Sequence, residues 1–138
     1  MPLVYLTRRE TFSACHRLHS PLLSDEENLE LFGKCNNPAG HGHNYVLEVT
    51  VAGPVTDTGM VITIADMKVA IARNVLDRLD HKNLDKDVEH FKKGVVSTTE
   101  NLAVYIRDLL KDNIKSPATL YEVKILETEK NSVVYRGE

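Results

Sequence analysis

Three histidines in this chain are spaced so that their imidazoles could bind one metal ion. His41 and His43 flank Gly42 at the start of an alternating apolar run, and alternate side chains of a β-strand point to one face. His16 ends an earlier run of period two, and in an antiparallel hairpin its strand end would lie beside His41. Neutral imidazoles bind zinc, and three protein ligands leave one coordination position open. The pattern favours a zinc site, although His41 and His43 could also be loop residues and His16 a buried core histidine.

Cys35 and the Asp80–His81 pair are candidates for acid–base chemistry. Five residues separate Cys35 from His41, and the cysteine could be a zinc ligand, a buried apolar residue or a reactive, partly exposed thiolate. Asp80 and His81 follow a predicted helix, where a carboxylate can orient an imidazole for proton transfer. Adjacent aspartate and histidine are also common on surfaces. Cys15 alternates away from the histidine-bearing face of its strand, so we expect it to pack.

Two further features could bind a ligand. Glu127 continues the apolar parity of a predicted strand, and a carboxylate there needs a partner, such as a ring edge with adjacent N–H donors. Alternatively, the strand has already ended and Glu127 is exposed. Ser97 and Glu100 have the spacing of a capping box, with Thr98 and Thr99 between them. Hydroxyl and N–H groups at such a helix start could also bind a ligand, although capping alone explains the segment.

The main elements that must position these residues follow the order β-β-α-α-β-β, in which strands are segregated from helices. Period-two runs predict strands over Val4–His16, His43–Ala52, Leu120–Thr128 and Val133–Arg136. Capping boxes and apolar stripes predict a short helix between Ser24 and Gly33, a helix over Ala65–Leu79 and a helix from Ser97 to Asp112. This order indicates an α+β fold, with a four-stranded antiparallel sheet and two main helices on one face. Its open edges lead us to expect oligomerisation into a closed barrel.

Bulk composition narrows the class of protein. The 138 residues fit a single domain over 1–138, and 42% apolar and 27% charged residues are typical of a soluble globular chain. The net charge of −3 argues against a general nucleic-acid surface. We find no predicted membrane span or signal peptide, and two cysteines make no disulfide framework, so we expect a cytoplasmic location.

Several segments together resemble the 6-pyruvoyl-tetrahydropterin synthase family of tetrahydrobiopterin biosynthesis. The segments are Phe12–Leu18, Gly33–Tyr45, Leu79–Asp85, Val96–Asn101 and Glu127. The resemblance implies the tunnelling fold (T-fold), a homohexamer built as a dimer of trimers, and a zinc-dependent phosphorus–oxygen lyase. It implies conversion of 7,8-dihydroneopterin triphosphate to 6-pyruvoyl-tetrahydropterin with loss of triphosphate. One zinc ion per subunit is implied, and assistance by magnesium is left open.

The resemblance also implies roles for individual positions. The matches are the zinc ligands His16, His41 and His43, the catalytic group Cys35, Asp80 and His81, the pterin anchor Glu127, and the pterin-pocket residues Thr98, Thr99 and Glu100. One departure is Cys15, where relatives have a smaller residue. Its predicted direction, away from the metal, leaves the central assignments unaffected.

Two alternative functions remain open at this point. One is 6-carboxy-tetrahydropterin synthase of the queuosine pathway, which shares the fold, zinc site and substrate. Its relatives have the cysteine closer to the His-Gly-His motif, so the spacing between Cys35 and His41 favours the pyruvoyl reaction. The other is a non-catalytic, zinc-stabilised pterin-binding module. The product of the reaction, if any, separates the three.

Overall fold

The computed structural model describes residues 2–138, which fold into one sheet covered by helices. The strands are β1 (Leu3–His16), β2 (His41–Pro54), β3 (Lys82–Asn83), β4 (Thr119–Leu126) and β5 (Ser132–Tyr135). The helices are α1 (Asp25–Phe32), α2 (Ile64–Ile71), α3 (Asp77–Leu79), α4 (Leu84–Asp87), α5 (Glu89–Lys92) and α6 (Thr99–Leu110). A 3₁₀ turn follows α1 over Gly33–Asn36, and a π-helical segment joins α2 to α3 over Ala72–Leu76. The α+β class predicted from the sequence is confirmed.

β1 and β2 form one long antiparallel hairpin. Their register pairs Leu3 with Pro54 at one end and His16 with His41 at the other. Phe12 and Tyr45, which face each other in this register, stack with ring centroids 5.1 Å apart on the helix-covered side. The predicted meeting of the two histidine-bearing strand ends is therefore confirmed.

The sheet has five strands rather than the predicted four. Its order is β3-β1-β2-β4-β5, with β3 parallel to β1 and pairing Ala14 with Lys82. The sequence predicted a polar loop here. A strand of two residues has too few side chains to show a period, and its backbone pairs with the otherwise open edge of β1.

A register shift changes which residues of β4 are buried. The sequence predicted that Tyr121 would share the apolar face of Val123 and Ile125. The pairing with β2 shifts between Thr50 and Val51, so that Leu120 is buried and Tyr121 is 36% exposed. An inserted residue in a strand switches the face of everything beyond it, and apolar spacing alone does not locate such a bulge.

The first helix follows its sequence signals closely, whereas the second is interrupted. Ser24 Oγ accepts a hydrogen bond from Glu27 N at 3.1 Å, while Glu27 Oε1 accepts one from Ser24 N at 3.0 Å, which confirms the capping box. Gly33, with a φ of 56°, ends α1. The predicted single helix over Ala65–Leu79 is instead α2, the π-helical segment and α3. The predicted stripe of Met67, Ile71 and Val75 is still buried, and Leu79 is buried with it.

The N-cap of α6 differs from the prediction by one residue. Thr98, not Ser97, caps the helix, because its hydroxyl accepts from Asn101 N at 3.1 Å. Ser97 is fully buried and serves the histidine centre described below. The apolar side chains of α6 nevertheless pack on the sheet as predicted, and the fully buried ones are Leu102, Ala103, Ile106 and Leu110.

Candidate metal and pterin site

The three histidines converge at the end of the β1–β2 hairpin. One possible ligand atom from each of His16, His41 and His43 lies within 4.8 Å of the other two. The ring centroid of His16 is 4.7 Å from that of His41 and 5.3 Å from that of His43. The antiparallel register sets His16 opposite His41, and strand alternation places His43 on the same face. This is the convergence that the sequence predicted.

Hydrogen bonding and burial prepare these rings for a metal. His16 Nδ1 lies 2.7 Å from the Ser97 carbonyl oxygen, which can only accept, so Nδ1 carries the proton and Nε2 keeps its lone pair. His16 Nε2 and His43 Nε2 are buried and have no hydrogen-bond partner among residues 2–138. Burial lowers the pKa of both histidines, which favours the neutral, metal-binding form. The residues present therefore fit a metal ion that accepts imidazole ligands.

Glu127 lies beside this centre and is held by the start of α6. The Thr99 hydroxyl donates a hydrogen bond to the Glu127 carboxylate, whose Oε1 is 3.7 Å from His43 Nε2. β4 ends at Leu126, yet the side chain of Glu127 is only 29% exposed. Neither sequence interpretation is fully right, because Glu127 follows the strand and still faces the site.

The two residues flanking Thr99 are less enclosed. Thr98 is half-buried and uses its hydroxyl to cap α6, whereas Glu100 is exposed. Only Thr99, which is 5% exposed, contacts Glu127 through its side chain. Among the three predicted pocket residues, Thr99 therefore has the most direct structural connection to the carboxylate.

Cys35 lies in the 3₁₀ turn that precedes β2. Its carbonyl oxygen accepts from Leu18 N at 2.9 Å, and its side chain is half-buried. The group of possible metal ligands found in the described part of the chain consists of the three histidines without Cys35. The zinc-ligand interpretation of this cysteine is thus not supported, and a partly exposed thiol remains.

Asp80 and His81 dock on the edge of β1. Ser13 N donates to Asp80 Oδ1 at 2.9 Å, and His81 N donates to the Ser13 carbonyl at 2.6 Å. Hydrogen bonding from Ser13 N holds the pKa of Asp80 below its usual range, with a smaller contribution from His81. The two side chains approach to 3.0 Å between His81 Nδ1 and Asp80 Oδ2. The carboxylate is therefore close enough to orient the imidazole, and the role of the pair in proton transfer stays a prediction.

His81 points away from the histidine centre of its own chain. Its side chain is 82% exposed and shares a cavity with Cys15 and Gly42, which lie on the opposite face of the hairpin from His16. The backbone of His81 has a φ of 62°, a left-handed conformation that is uncommon outside glycine. Within one chain, the structure does not bring the Asp80–His81 pair to the three-histidine side.

Comparison with known proteins decides the family. A sequence profile described as 6-pyruvoyl tetrahydropterin synthase matches residues 5–138. The chain belongs to this family. A 6-pyruvoyl tetrahydrobiopterin synthase of Drosophila melanogaster is 64% identical over 137 residues, covering 99% of this chain and 81% of the relative. One of Homo sapiens is 57% identical over 134 residues, covering 96% and 91% of the two chains.

A solved structure of a family member agrees with this assignment. The Caenorhabditis elegans 6-pyruvoyl tetrahydropterin synthase has a TM-score of 0.95 and 53% sequence identity, covering 100% of this chain and 98% of the other. The resemblance found in the sequence and the predicted T-fold are both confirmed.

Among residues 2–138, none of the helices is long and apolar enough to cross a membrane.

The sequence pattern did not reveal one contribution to the site, which comes from the main chain of Ser97. The sequence predicts that Ser97 caps a helix, whereas in the structure its main-chain carbonyl orients His16. A carbonyl group is present at every residue, so no side-chain pattern could have marked this one. The signal that was available was only the position of Ser97 at the start of a helix.

Proposed function

We propose that this protein converts 7,8-dihydroneopterin triphosphate to 6-pyruvoyl-tetrahydropterin, with release of triphosphate. The observation that carries the proposal is the set of three converging histidines next to a carboxylate in a chain of this family, with buried Nε2 atoms of His16 and His43 that have no hydrogen-bond partner among the described residues. The overall reaction moves reducing equivalents from the substrate side chain to its ring. It therefore needs no external nicotinamide or other oxidant.

In this proposal His16, His41 and His43 hold one zinc ion. When bound, zinc supplies Lewis acidity that polarises oxygen groups of the substrate side chain and acidifies the adjacent C–H bonds. The protein's part is to keep the imidazoles neutral by burial and to orient His16 through the Ser97 carbonyl. Both effects support binding of a metal in preference to a proton.

The proposed acid–base groups are Cys35 and the Asp80–His81 pair. Cys35, as a thiolate, removes a proton from a carbon of the substrate side chain, and His81 transfers protons under the control of the Asp80 carboxylate. Because His81 faces away from the three histidines of its own chain, we propose that it acts at the three-histidine centre of a neighbouring chain. Such an arrangement makes the oligomer necessary for activity.

The proposed pterin anchor is Glu127. Its carboxylate accepts hydrogen bonds from adjacent N–H groups of the pterin ring, and the Thr99 hydroxyl holds the carboxylate in place. Thr98 and Glu100 complete the wall of the pocket. The position of Glu127 beside His43 supports this role, because it puts the ring next to the metal that acts on its side chain.

The proposed assembly is a cytoplasmic homohexamer, a dimer of trimers. β1 pairs with β3 only at Ala14 and Cys15, so most of its outer edge has no strand beside it in the described chain. β5 forms the other edge of the sheet. Joining such edges between copies would close a barrel and satisfy their backbone groups.

The test combines metal analysis with product analysis. Purified protein should contain one zinc per chain and convert dihydroneopterin triphosphate to a pterin with a three-carbon pyruvoyl side chain. Running the assay with and without added magnesium shows whether magnesium assists. A carboxylate at that ring position would identify the 6-carboxy reaction instead. Binding of zinc and pterin with no product would identify a non-catalytic module. Light scattering of the same sample gives the number of chains.

A further inference from the structure

We propose that Arg17 and Asn36 are positioning residues that hold the Cys35 turn against the end of β1. The inference rests on the proposed function in one respect, namely that Cys35 is the group that removes a substrate proton. Whatever the reaction, these two side chains fix where the thiol lies relative to the histidine centre.

The guanidinium of Arg17 is committed to the turn. Its Nε donates to the Asn36 carbonyl oxygen at 2.7 Å, and its Nη2 is 3.4 Å from Asn36 Oδ1. Arg17 directly follows the metal-site residue His16, and Asn36 directly follows Cys35. One side chain thus joins the chain positions next to the histidine and next to the thiol.

Asn36 fastens the same turn from the other side. It is 5% exposed, and its Nδ2 donates to the Leu18 carbonyl at 2.7 Å, while Leu18 N donates to the Cys35 carbonyl at 2.9 Å. The same Nδ2 is 3.1 Å from His19 Nδ1. Residues 17–19 and 35–36 are therefore joined by a compact set of partly buried hydrogen bonds.

The segment that carries Arg17 is itself anchored. Arg17 N donates to Asp85 Oδ2 at 2.6 Å, which ties the end of β1 to α4. The Cys35 turn, in contrast, is a 3₁₀ helix of four residues, and short 3₁₀ segments have poor internal hydrogen bonds. The turn is therefore held against the end of β1 by Arg17 and Asn36 together with the main-chain hydrogen bond from Leu18 N to the Cys35 carbonyl.

This dependence matters because acid–base catalysis requires close placement. A displacement of a reacting group by about 1 Å can lower the rate by about 100-fold. The geometry also argues against Arg17 as a ligand for the triphosphate, since two of its three nitrogens already contact Asn36. A positioning role predicts a lower kcat, whereas loss of a phosphate ligand predicts a higher KM.

The experiment compares Arg17→Ala and Asn36→Ala with Arg73→Ala, a matched control at an exposed arginine of the π-helical segment. Iodoacetamide alkylation is followed separately for Cys35 and Cys15, the two free cysteines, by peptide mass spectrometry. We expect Cys35 to react about tenfold faster in both variants because the loosened turn opens locally. Cys15, inside the paired hairpin, should react at the wild-type rate.

Turnover gives the second readout. We expect kcat to fall about 10- to 100-fold, with KM within about threefold of wild type and zinc still bound at one per chain. Arg17→Lys should recover part of kcat, because lysine can reach the Asn36 carbonyl but lacks the planar fork. Arg73→Ala should match wild type in every measurement.

Three results would overturn the inference. The first is a Cys35 alkylation rate that is unchanged in the two variants. The second is equal acceleration of alkylation at Cys35 and Cys15, which indicates general destabilisation. The third is a raised KM with an unchanged kcat. If Arg17→Ala loses zinc or fails to fold, Asn36→Ala decides, since it lies farther along the chain from the histidines. If wild type does not convert the substrate, the proposed function fails, but the alkylation comparison still decides whether the turn is held as stated.

Discussion

Replacement of Thr99 by valine tests how the proposed pterin anchor is held. Thr99 is 5% exposed and its hydroxyl donates to the Glu127 carboxylate. Valine has nearly the same shape but no hydroxyl, so Thr99→Val removes this hydrogen bond and leaves the local packing close to native. Glu127, whose side chain is 29% exposed, should then be free to adopt other rotamers. We therefore expect weaker pterin binding.

The size of the effect follows from the loss of preorganisation. In wild type the hydrogen bond orders the carboxylate before the ligand arrives, whereas in the variant the ligand must order it. Immobilising one flexible side chain on binding costs about 0.5–1.5 kcal/mol. Since 1.4 kcal/mol corresponds to about a tenfold change, Kd should rise by about two- to tenfold. A larger loss would mean that the pocket itself has changed.

Isothermal titration calorimetry with neopterin, a pterin without the triphosphate, measures this change on zinc-loaded protein. Thr7→Val is the matched control, because it removes a hydroxyl pair with Thr50 (2.7 Å) that lies away from the site. The control should bind with the wild-type Kd. Glu127→Gln, which removes the charge of the anchor, should bind more weakly than Thr99→Val.

Two outcomes would refute this reasoning at different points. If Thr99→Val binds as tightly as wild type while Glu127→Gln loses affinity, the carboxylate is the anchor but the hydroxyl does not position it. If Glu127→Gln also binds normally, Glu127 is not the anchor, and the hydrogen bond from Thr99 is only structural.

Three other perturbations separate the remaining roles. Cys35→Ala should retain zinc and neopterin binding but lose about 10²–10⁴-fold in kcat, whereas Cys15→Ala should remain active; comparable loss in both would contradict the assignment. His41→Ala should lose zinc by metal analysis while circular dichroism shows a retained fold, and stoichiometric zinc would exclude His41 as an essential ligand. The depressed pKa of Asp80 means that its stabilising contact with Ser13 is present at neutral pH and is lost as the pH falls below about 4. Urea unfolding between about pH 6 and pH 3 should therefore show a smaller acid loss of stability for Asp80→Asn than for wild type, and equal losses would contradict this linkage.

The side-chain pattern carried most of the information about the hairpin. Period-two alternation assigned His16 to one strand and His41 and His43 to the next, and antiparallel pairing then required their ends to meet. The capping box at Ser24 and the buried stripe that includes Met67 were equally local, and both are confirmed. Such features are predictable because a side chain's direction depends on its own position in a helix or strand.

The structure differs from the predictions made from the sequence where main-chain hydrogen bonding, rather than the side-chain pattern, decides the local structure. The short strand β3, the bulge that exposes Tyr121 and the π-helical segment after α2 leave no clear period in the side chains. The N-cap is Thr98 rather than the predicted Ser97: both residue types can cap, but the Ser97 main chain lies against His16 and its carbonyl accepts from the His16 ring.

The sequence by itself determined the candidate groups, three imidazoles on one face and a thiol just upstream, since these depend on residue type and strand parity. Only the tertiary structure decided how the set is held. The Ser97 carbonyl fixes His16, Arg17 and Asn36 fasten the Cys35 turn, and His81 faces away from the centre of its own chain. Main-chain carbonyl and N–H groups are the same at almost every residue, so their partners are chosen by the fold and cannot be read from the order of side chains.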